Sequence, residues 1–215
     1  MDYLKYNRGI VEQTPSNDKG ESLNLFPTLV MKFTNVLSSE NISQIYQTLR
    51  TDQSLKEDNT LINGHSNFES KEDILNKLNL RNIMQEKVDL YCMKAKFTNI
   101  IVANSWFSIQ SIGGMLEDHI HAGSLLSGVF YINTDDSSSP LVFHNPNLAS
   151  THAYGFYNER SEYNFDLFRI KPENGDLYIF PSWLRHGCNY IPNQTKERVI
   201  ISFNTFLTVK KTRWT

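Results

Sequence analysis

The sequence predicts an α+β fold in which β-strands dominate. Residues from about 38 to 96 contain two stretches with apolar side chains at helical spacing. The chain from about 97 to 208 consists of short β-branched and aromatic runs that are separated by Gly, Pro, Asn and Ser. Two helical stretches followed by six or more strands are typical of a sandwich or barrel of strands with helices bracing one face.

The composition predicts one folded domain. The chain has 215 residues, of which 40% are hydrophobic and 12% aromatic, and this is enough apolar side chain to build a core. We expect a polar segment over residues 1–24 and a single domain over residues 25–215. Within that domain we expect helical support at about 38–96 and a strand core at about 97–208.

The charge and hydropathy of the chain argue against several functions. A total of 21 Lys and Arg against 23 Asp and Glu gives a net charge of -2, which disfavours binding to nucleic acid through many phosphate contacts. No apolar run approaches the roughly 20 residues of a membrane helix, and the N-terminus has no apolar signal core. The isolated Cys92 and Cys188 fit a reducing compartment. We therefore expect a cytoplasmic protein without a membrane partner.

Local patterns predict the first elements. The apolar stretch 25–33 indicates a strand that Pro27 interrupts. A Ser cap and the apolar spacing predict a helix over 38–50, and the polar stretch 51–68 favours a loop. A second apolar stripe predicts a helix over 71–96, with a break expected near Asn82.

Three of the six histidines form the pattern of a metal site. His119 and His121 precede the strand-like run LLSGVFYIN, and residues i and i+2 of an extended chain project to the same side, so both imidazoles could share one metal ion. The short H-x-H pattern equally fits two surface or hydrogen-bonded histidines. His186 follows the run GDLYIFPSWLR and is well placed to point into the strand core as a third ligand.

A polar face on the last strand predicts an anion site. By alternation, Arg198, Ser202 and Asn204 share one face of the run RVIISFNTFL. The guanidinium fork and the hydroxyl suit a carboxylate. Alternation in LLSGVFYIN places the hydroxyl of Tyr131 where it could meet the same anion. The alternatives are an Arg paired with an acidic side chain at a sheet edge and a Tyr that fills the core.

The order of these blocks resembles a known family. The H-x-H at 119–121, SG-x-x-Y at 127–131, IFPSWLRH at 179–186 and RVIISFN at 198–204 look like the iron(II)- and 2-oxoglutarate-dependent dioxygenases. More narrowly, they resemble the phage-type family of 2OG-Fe(II) oxygenases that shares the SG-x-x-Y and IFPSWL-x-H blocks. The resemblance covers residues 100–207, and the segments before it fit the usual N-terminal part of the family.

The resemblance implies a double-stranded β-helix, or jelly roll, that binds Fe(II) and hydroxylates a substrate with 2-oxoglutarate and O2 while succinate and CO2 are released. It implies three metal ligands, namely His119, His121 and His186, with no catalytic side chain beyond the metal centre. It also implies that the far carboxylate of 2-oxoglutarate is held by Arg198, Ser202 and Tyr131. The likeness to prolyl hydroxylases favours a protein or peptide side chain as substrate, with small metabolites and nucleotides as alternatives.

One position departs from the family pattern. The superfamily holds iron with H-x-[DE] and a distal histidine, and His121 stands where the carboxylate usually lies. Because a neutral imidazole brings no negative charge to the metal, other interpretations stay open. These are a jelly roll that binds a metal or ligand without turnover, a three-histidine iron dioxygenase that does not use 2-oxoglutarate, and a site in which only His119 and His186 bind the metal.

The other residues near these blocks are expected to be structural. Trp106 and Trp183 are expected to pack in the core, and Cys188 is expected to be structural although it follows the third histidine closely. His144 is expected at the surface. The stretch 145–164 is long enough to form a lid or the rim of a substrate site.

Overall fold

A computed structural model describes residues 26–58, 60–70, 72–98, 100–147 and 164–208. The predicted polar segment 1–24 and most of the predicted lid, residues 148–163, lie outside the described residues. None of the helices in the described ranges combines the length and the apolarity that a membrane crossing requires.

The described strands form two antiparallel sheets. In chain order they are β1 (Met31–Phe33), β2 (Lys56–Glu57), β3 (Leu61–Ser66), β4 (Ile100–Leu116), β5 (Leu126–Asn133), β6 (Leu141–His144), β7 (Leu167–Ile170), β8 (Leu177–Pro181), β9 (His186–Gly187) and β10 (Arg198–Leu207). The large sheet has the order β1-β8-β5-β10-β4-β3-β2, and the small sheet has the order β7-β6-β9. This mainly β arrangement of two sheets agrees with the predicted fold class.

The first helix, α1, spans Ser39–Arg50, close to its predicted bounds. Ser38 caps it, because its Oγ accepts a hydrogen bond from the backbone N–H of Asn41 at 3.2 Å. The buried side of α1 consists of Ile42, Ile45 and Leu49 and joins the core that the large sheet forms. The helix therefore braces one face of the strands, as the pattern predicts.

The second predicted helix is two helices. The first, α2, spans Ile74–Lys77, and the second, α3, spans Arg81–Ala95. The break lies before Asn82, where we expected it, because Asn79 adopts a left-handed φ of 56° just after α2. A short 3₁₀ turn at Phe68–Ser70 precedes these helices.

Two expectations for the N-terminal part are wrong in detail. The stretch 51–68, which we expected to be a loop, contains β2 and β3, and these extend the large sheet beyond β4. Their polar sequence shows no hydrophobic alternation that would predict strands. Backbone pairing holds them instead: β3 pairs with the long β4, with a bulge between Ile62 and Gly64, and β2 pairs with β3. The expected strand over 25–33 is confined to β1.

The two faces of β10 separate the core from the site. Val199, Ile201 and Phe203 belong to the apolar cluster that includes the helices, whereas Ile200 belongs to the cluster between the two sheets. Any side chain at Gly128 would collide with the ring of Phe203, which explains the glycine of the SG-x-x-Y block. The face of β10 that carries Arg198 and Asn204 borders a cavity on the opposite side from the helices.

Candidate active site

The three histidines of the predicted metal site meet at the inner side of the two sheets. His119 and His186 pair through their backbones, with N–H to carbonyl distances of 2.8 and 3.0 Å. The backbone N–H of His121 donates to the carbonyl of Ser182 at 2.9 Å, which ties the H-x-H segment to the chain after β8. The available ring nitrogens of the three imidazoles all lie within 4.8 Å of one another, so the group can hold a metal ion.

Each imidazole is oriented by a hydrogen bond at Nδ1. The contacts join His119 to the Glu117 carbonyl at 2.7 Å, His186 to the Leu184 carbonyl at 2.8 Å and His121 to Asn204 Oδ1 at 2.7 Å. Because carbonyl and amide oxygens only accept, each Nδ1 carries the proton and each Nε2 keeps its lone pair. A histidine in this tautomer binds metal through Nε2.

The Nε2 atoms of His119 and His121 lie 3.0 Å apart. With both atoms unprotonated, the contact brings two lone pairs together and is not a hydrogen bond. The distance matches that between two neighbouring ligands that each lie about 2.1 Å from one metal ion. The donor set therefore fits a cation.

Burial keeps the three imidazoles neutral. It is the largest cause that lowers the pKa of His186 to about 3 and the pKa of His121 to about 4, and the neighbouring His119 lowers both pKa values further. Burial also lowers the pKa of His119. All three ring nitrogens can therefore bind a metal ion at neutral pH without first losing a proton.

A cavity of about 420 Å³ connects the histidines with the predicted anion site. All six predicted site residues line it, namely His119, His121, His186, Arg198, Ser202 and Tyr131. The structure thus brings together residues that are separated by up to 83 positions in the chain (202 − 119). Apolar side chains from both sheets line the space as well, among them Val129, Leu141, Phe180 and Ile200.

Arg198 is buried with uncharged partners. Its Nη1 donates to Gln110 Oε1 at 2.6 Å, and its Nη2 donates to the hydroxyl of Tyr131 at 3.2 Å. Its Nε is buried and has no hydrogen-bond partner within the described part of the chain. A buried guanidinium without a carboxylate partner favours the binding of an anion. The alternative of an edge arginine paired with an acidic side chain does not hold among the described residues.

Tyr131 is both buried and in contact with Arg198 of the predicted anion site. Burial raises the pKa of its hydroxyl, which therefore stays protonated at neutral pH and keeps a proton to donate. Its ring packs edge-on against Tyr178 with a centroid distance of 6.0 Å. The core-filling interpretation and the anion-binding interpretation of this residue are compatible.

Gln110 is a partner of Arg198 that we did not predict from the sequence. Gln110 is 1% exposed and lies directly opposite Arg198 in the register of β4 and β10. The sequence pattern that could have indicated it is a polar residue in the run IIVANSWFSIQ that shares one strand face with Trp106 and Ser108. All three of these residues line the cavity.

The expectation that both tryptophans pack in the core is wrong. Trp106 is half-buried in the cavity wall, where it stacks on the ring of His121 at a centroid distance of 5.7 Å. Trp183 is 55% exposed. Cys188 is buried and its thiol donates to the carbonyl of Leu116 at 3.2 Å, in keeping with a structural role.

Asp118 connects the H-x-H segment to the chain that follows His186 through a hydrogen bond. Its Oδ1 accepts a hydrogen bond from the backbone N–H of Asn189 at 3.0 Å, and its Oδ2 lies 2.7 Å from Nε2 of His144. A side chain at Gly187 would collide with this carboxylate. His144, which we expected at the surface, is therefore a partly buried partner of Asp118.

Comparison with protein families agrees with this geometry. Residues 104–204, which include all six predicted site residues, match the model of the family described as "Putative 2OG-Fe(II) oxygenase". The matched segment, 101 of the 215 residues, is similar to the 2OG-Fe(II) oxygenases. The predicted family is confirmed, and with it the enzyme class and the cofactors of that family, Fe(II) and 2-oxoglutarate. A comparison with curated protein sequences found no match.

Solved oxygenase structures share the fold at low sequence identity. A prolyl-4-hydroxylase from Pseudomonas putida aligns with a TM-score of 0.60 and 11% identity over 85% of this chain and 94% of that chain. HygX from Streptomyces hygroscopicus, with nickel and 2-oxoglutarate bound, aligns with a TM-score of 0.56 and 12% identity over 84% of each chain. A prolyl hydroxylase from Trichoplax adhaerens, in complex with a peptide fragment of the hypoxia inducible factor oxygen degradation domain, aligns with a TM-score of 0.56 and 13% identity over 82% of this chain and 83% of that chain. These alignments confirm the predicted jelly roll.

Proposed function

We propose that this oxygenase is a hydroxylase in which His119, His121 and His186 hold Fe(II) and Arg198 holds 2-oxoglutarate. The main support for this proposal is that three unprotonated Nε2 atoms and a buried guanidinium without an acidic partner line one cavity. A metal cation and an anionic co-substrate supply the two charges that this arrangement lacks.

The donor set fits the proposed metal. Imidazole nitrogens suit Fe(II), and three protein ligands leave positions for the co-substrate and O2. When bound, iron and 2-oxoglutarate supply the oxidation, in which O2 converts the co-substrate to succinate and CO2 and hydroxylates the substrate. The protein supplies orientation and a protected cavity.

The far carboxylate of the co-substrate is proposed to bind Arg198, Tyr131 and Ser202. The guanidinium of Arg198, whose Nε has no partner among the described residues, and the protonated hydroxyl of Tyr131 both belong to residues that line this end of the cavity. Ser202 lies on β10 between Arg198 and Asn204, and Asn204 contacts His121. The strand therefore carries the anion site and a contact to the metal site on one rigid face.

The apolar walls of the cavity strengthen this binding. Val129, Leu141 and Ile200 line the space beside the polar groups. Because such side chains exclude water, the attraction between the guanidinium and a carboxylate is stronger than at an exposed site. The same walls limit access of water to the metal.

We propose a protein or peptide side chain as the substrate. The support is that two of the structural neighbours are prolyl hydroxylases, one of them in complex with a peptide. An aromatic surface beside His121 could receive such a chain, since Trp106 meets the ring of Phe68 edge-on at 5.0 Å and Phe68 is 53% exposed.

We also propose a cytoplasmic location, which the free cysteines Cys92 and Cys188 support.

An anaerobic titration tests the proposal. The protein is loaded with Fe(II), and 2-oxoglutarate is added while the visible spectrum is recorded. Chelation of iron by the co-substrate gives a weak charge-transfer band, which the proposal expects. His121 in place of a carboxylate favours a second candidate, a three-histidine dioxygenase without 2-oxoglutarate, and that candidate and a metal-binding jelly roll without turnover both predict no band.

A further inference from the structure

We infer that Asn204 is a positioning residue, whose side-chain oxygen holds His121 in the tautomer that presents Nε2 to a metal ion. The use of this tautomer for iron rests on the proposed function. The tautomer itself is a property of the metal-free protein and can be measured without any metal.

The oxygen of Asn204 has two donors. Oδ1 accepts a hydrogen bond from Nδ1 of His121 at 2.7 Å and another from Oγ of Ser127 at 2.8 Å. Ser127 lies directly opposite Asn204 in the register of β5 and β10, and its Oγ lies 2.8 Å from Oγ of Ser182. Backbone pairing between β5 and β10 therefore fixes the position of Asn204, and the hydroxyls of Ser127 and Ser182 form a hydrogen-bonded chain that ends at its side-chain oxygen.

His121 differs from the other two histidines in how its tautomer is set. His119 and His186 each donate from Nδ1 to a backbone carbonyl two residues earlier in the chain. Those acceptors come with the local backbone and do not depend on the identity of a side chain. His121 depends on a side chain 83 positions away, and it is the ligand that stands where the family usually has a carboxylate.

Loss of this acceptor allows a competing tautomer. If the proton of His121 moves from Nδ1 to Nε2, His121 can donate it to Nε2 of His119, because the two nitrogen atoms lie 3.0 Å apart. That one proton would then block the lone pairs of both Nε2 atoms, of His121 and of His119, for a metal ion. A metal ion would have to displace it, so we expect metal affinity to fall by about tenfold to a hundredfold, as for other partners of metal-bound histidines.

Two substitutions separate the acceptor from the shape of the side chain. Asn204→Leu keeps a similar volume and removes the acceptor. Asn204→Asp keeps the acceptor and adds a negative charge next to the Nδ1 proton, which makes the imidazole a stronger donor to a metal. Asn133→Leu is the matched control, because Asn133 is an amide on β5 that donates to the Glu197 carbonyl and lies outside the cavity lining.

The test is a ¹H–¹⁵N correlation spectrum of the imidazoles in metal-free, ¹⁵N-labelled protein, followed by Fe(II) titration under anaerobic conditions. We expect the Nδ1–H pattern for His121 in the wild type, in Asn204→Asp and in Asn133→Leu, and its loss in Asn204→Leu. We expect Fe(II) affinity to fall about tenfold to a hundredfold in Asn204→Leu and to be kept in the other variants.

The outcomes are distinct. A wild-type His121 with its proton on Nε2 overturns the inference even if no variant folds, and so does an unchanged Nδ1–H pattern in folded Asn204→Leu. If the tautomers behave as expected and the wild type binds no Fe(II), the positioning role of Asn204 is confirmed and the proposed function is wrong.

Discussion

Nε2 of His119 lies 3.0 Å from Nε2 of His121, and the hydrogen bonds at both Nδ1 atoms leave a lone pair on each of them. Two lone pairs at this distance repel each other, and a cation between them turns the repulsion into attraction. The metal-free fold therefore holds an unfavourable contact that metal binding relieves, and this relation leads to the first prediction.

Metal binding should stabilise the fold. At a free Fe(II) concentration of about 100 times Kd, binding to the native state adds about 2.7 kcal/mol to the free energy of unfolding, which corresponds to a rise in Tm of roughly 5–10 °C for a domain of this size. Anaerobic thermal unfolding with Fe(II) or with a chelator measures the difference. His119→Ala, which removes one of the two Nε2 atoms, should lose most of the rise; an equal rise in this variant would place the metal elsewhere.

Arg198→Ala should separate co-substrate binding from metal binding. Removal of one partner of a buried ion pair costs about 3–5 kcal/mol, so the affinity for 2-oxoglutarate should fall at least about a hundredfold while Fe(II) affinity is nearly unchanged. Ser202→Ala should cost about 1 kcal/mol, since it removes one neutral donor. Arg169, exposed on β7, provides the control variant Arg169→Ala. Calorimetric titration with 2-oxoglutarate that finds no difference between the two arginine variants would refute the anion site.

Substitutions of His121 should show whether it binds the metal. If His121 is a ligand, His121→Ala should lose Fe(II) affinity about as much as His119→Ala or His186→Ala. His121→Asp should bind Fe(II) well, because it recreates the carboxylate of the usual family pattern. Metal content after titration decides the matter, and equal affinity in the wild type and His121→Ala would leave His119 and His186 as the protein ligands.

The stability of the metal-free protein should fall as the pH falls from about 7 towards 4. Burial lowers the pKa of His121 to about 4 and that of His186 to about 3 in the folded state, while the unfolded chain binds protons near the usual value of 6.5. In this window the unfolded state binds more protons, and each such histidine contributes up to about 1.4 kcal/mol per pH unit. Urea unfolding with a chelator should therefore show a weaker pH dependence for His186→Gln than for the wild type. Parallel curves would show that His186 titrates normally.

Periodic patterns explain why the placement of many residues in the candidate site could be predicted from the sequence. The H-x-H spacing places two imidazoles on one side of an extended chain, and the alternation of β10 places Arg198 and Ser202 on the face opposite Val199 and Ile201. These relations are local, so they hold whatever the sheet order is. The resemblance to a family then joined the separate blocks into one site.

Contacts that depend on sheet register could not be predicted in the same way. Gln110 and Arg198 are 88 positions apart in the chain and are in contact because β4 and β10 pair in one particular register. A shift of that register by one residue would turn Gln110 to the other face of the sheet. Asn204 meets His121 for a similar reason, after the chain returns through β10. The stacking of Trp106 on His121 also follows from this packing rather than from any property of the run that contains it.

An anaerobic crystal structure of the protein with Fe(II) and 2-oxoglutarate tests the central claim most directly. Anomalous scattering from iron locates the metal independently of the side chains. We predict iron bonded to Nε2 of His119, His121 and His186, with the far carboxylate of 2-oxoglutarate on the guanidinium of Arg198. Iron outside this group, or 2-oxoglutarate that leaves Arg198 without an anion, would contradict it.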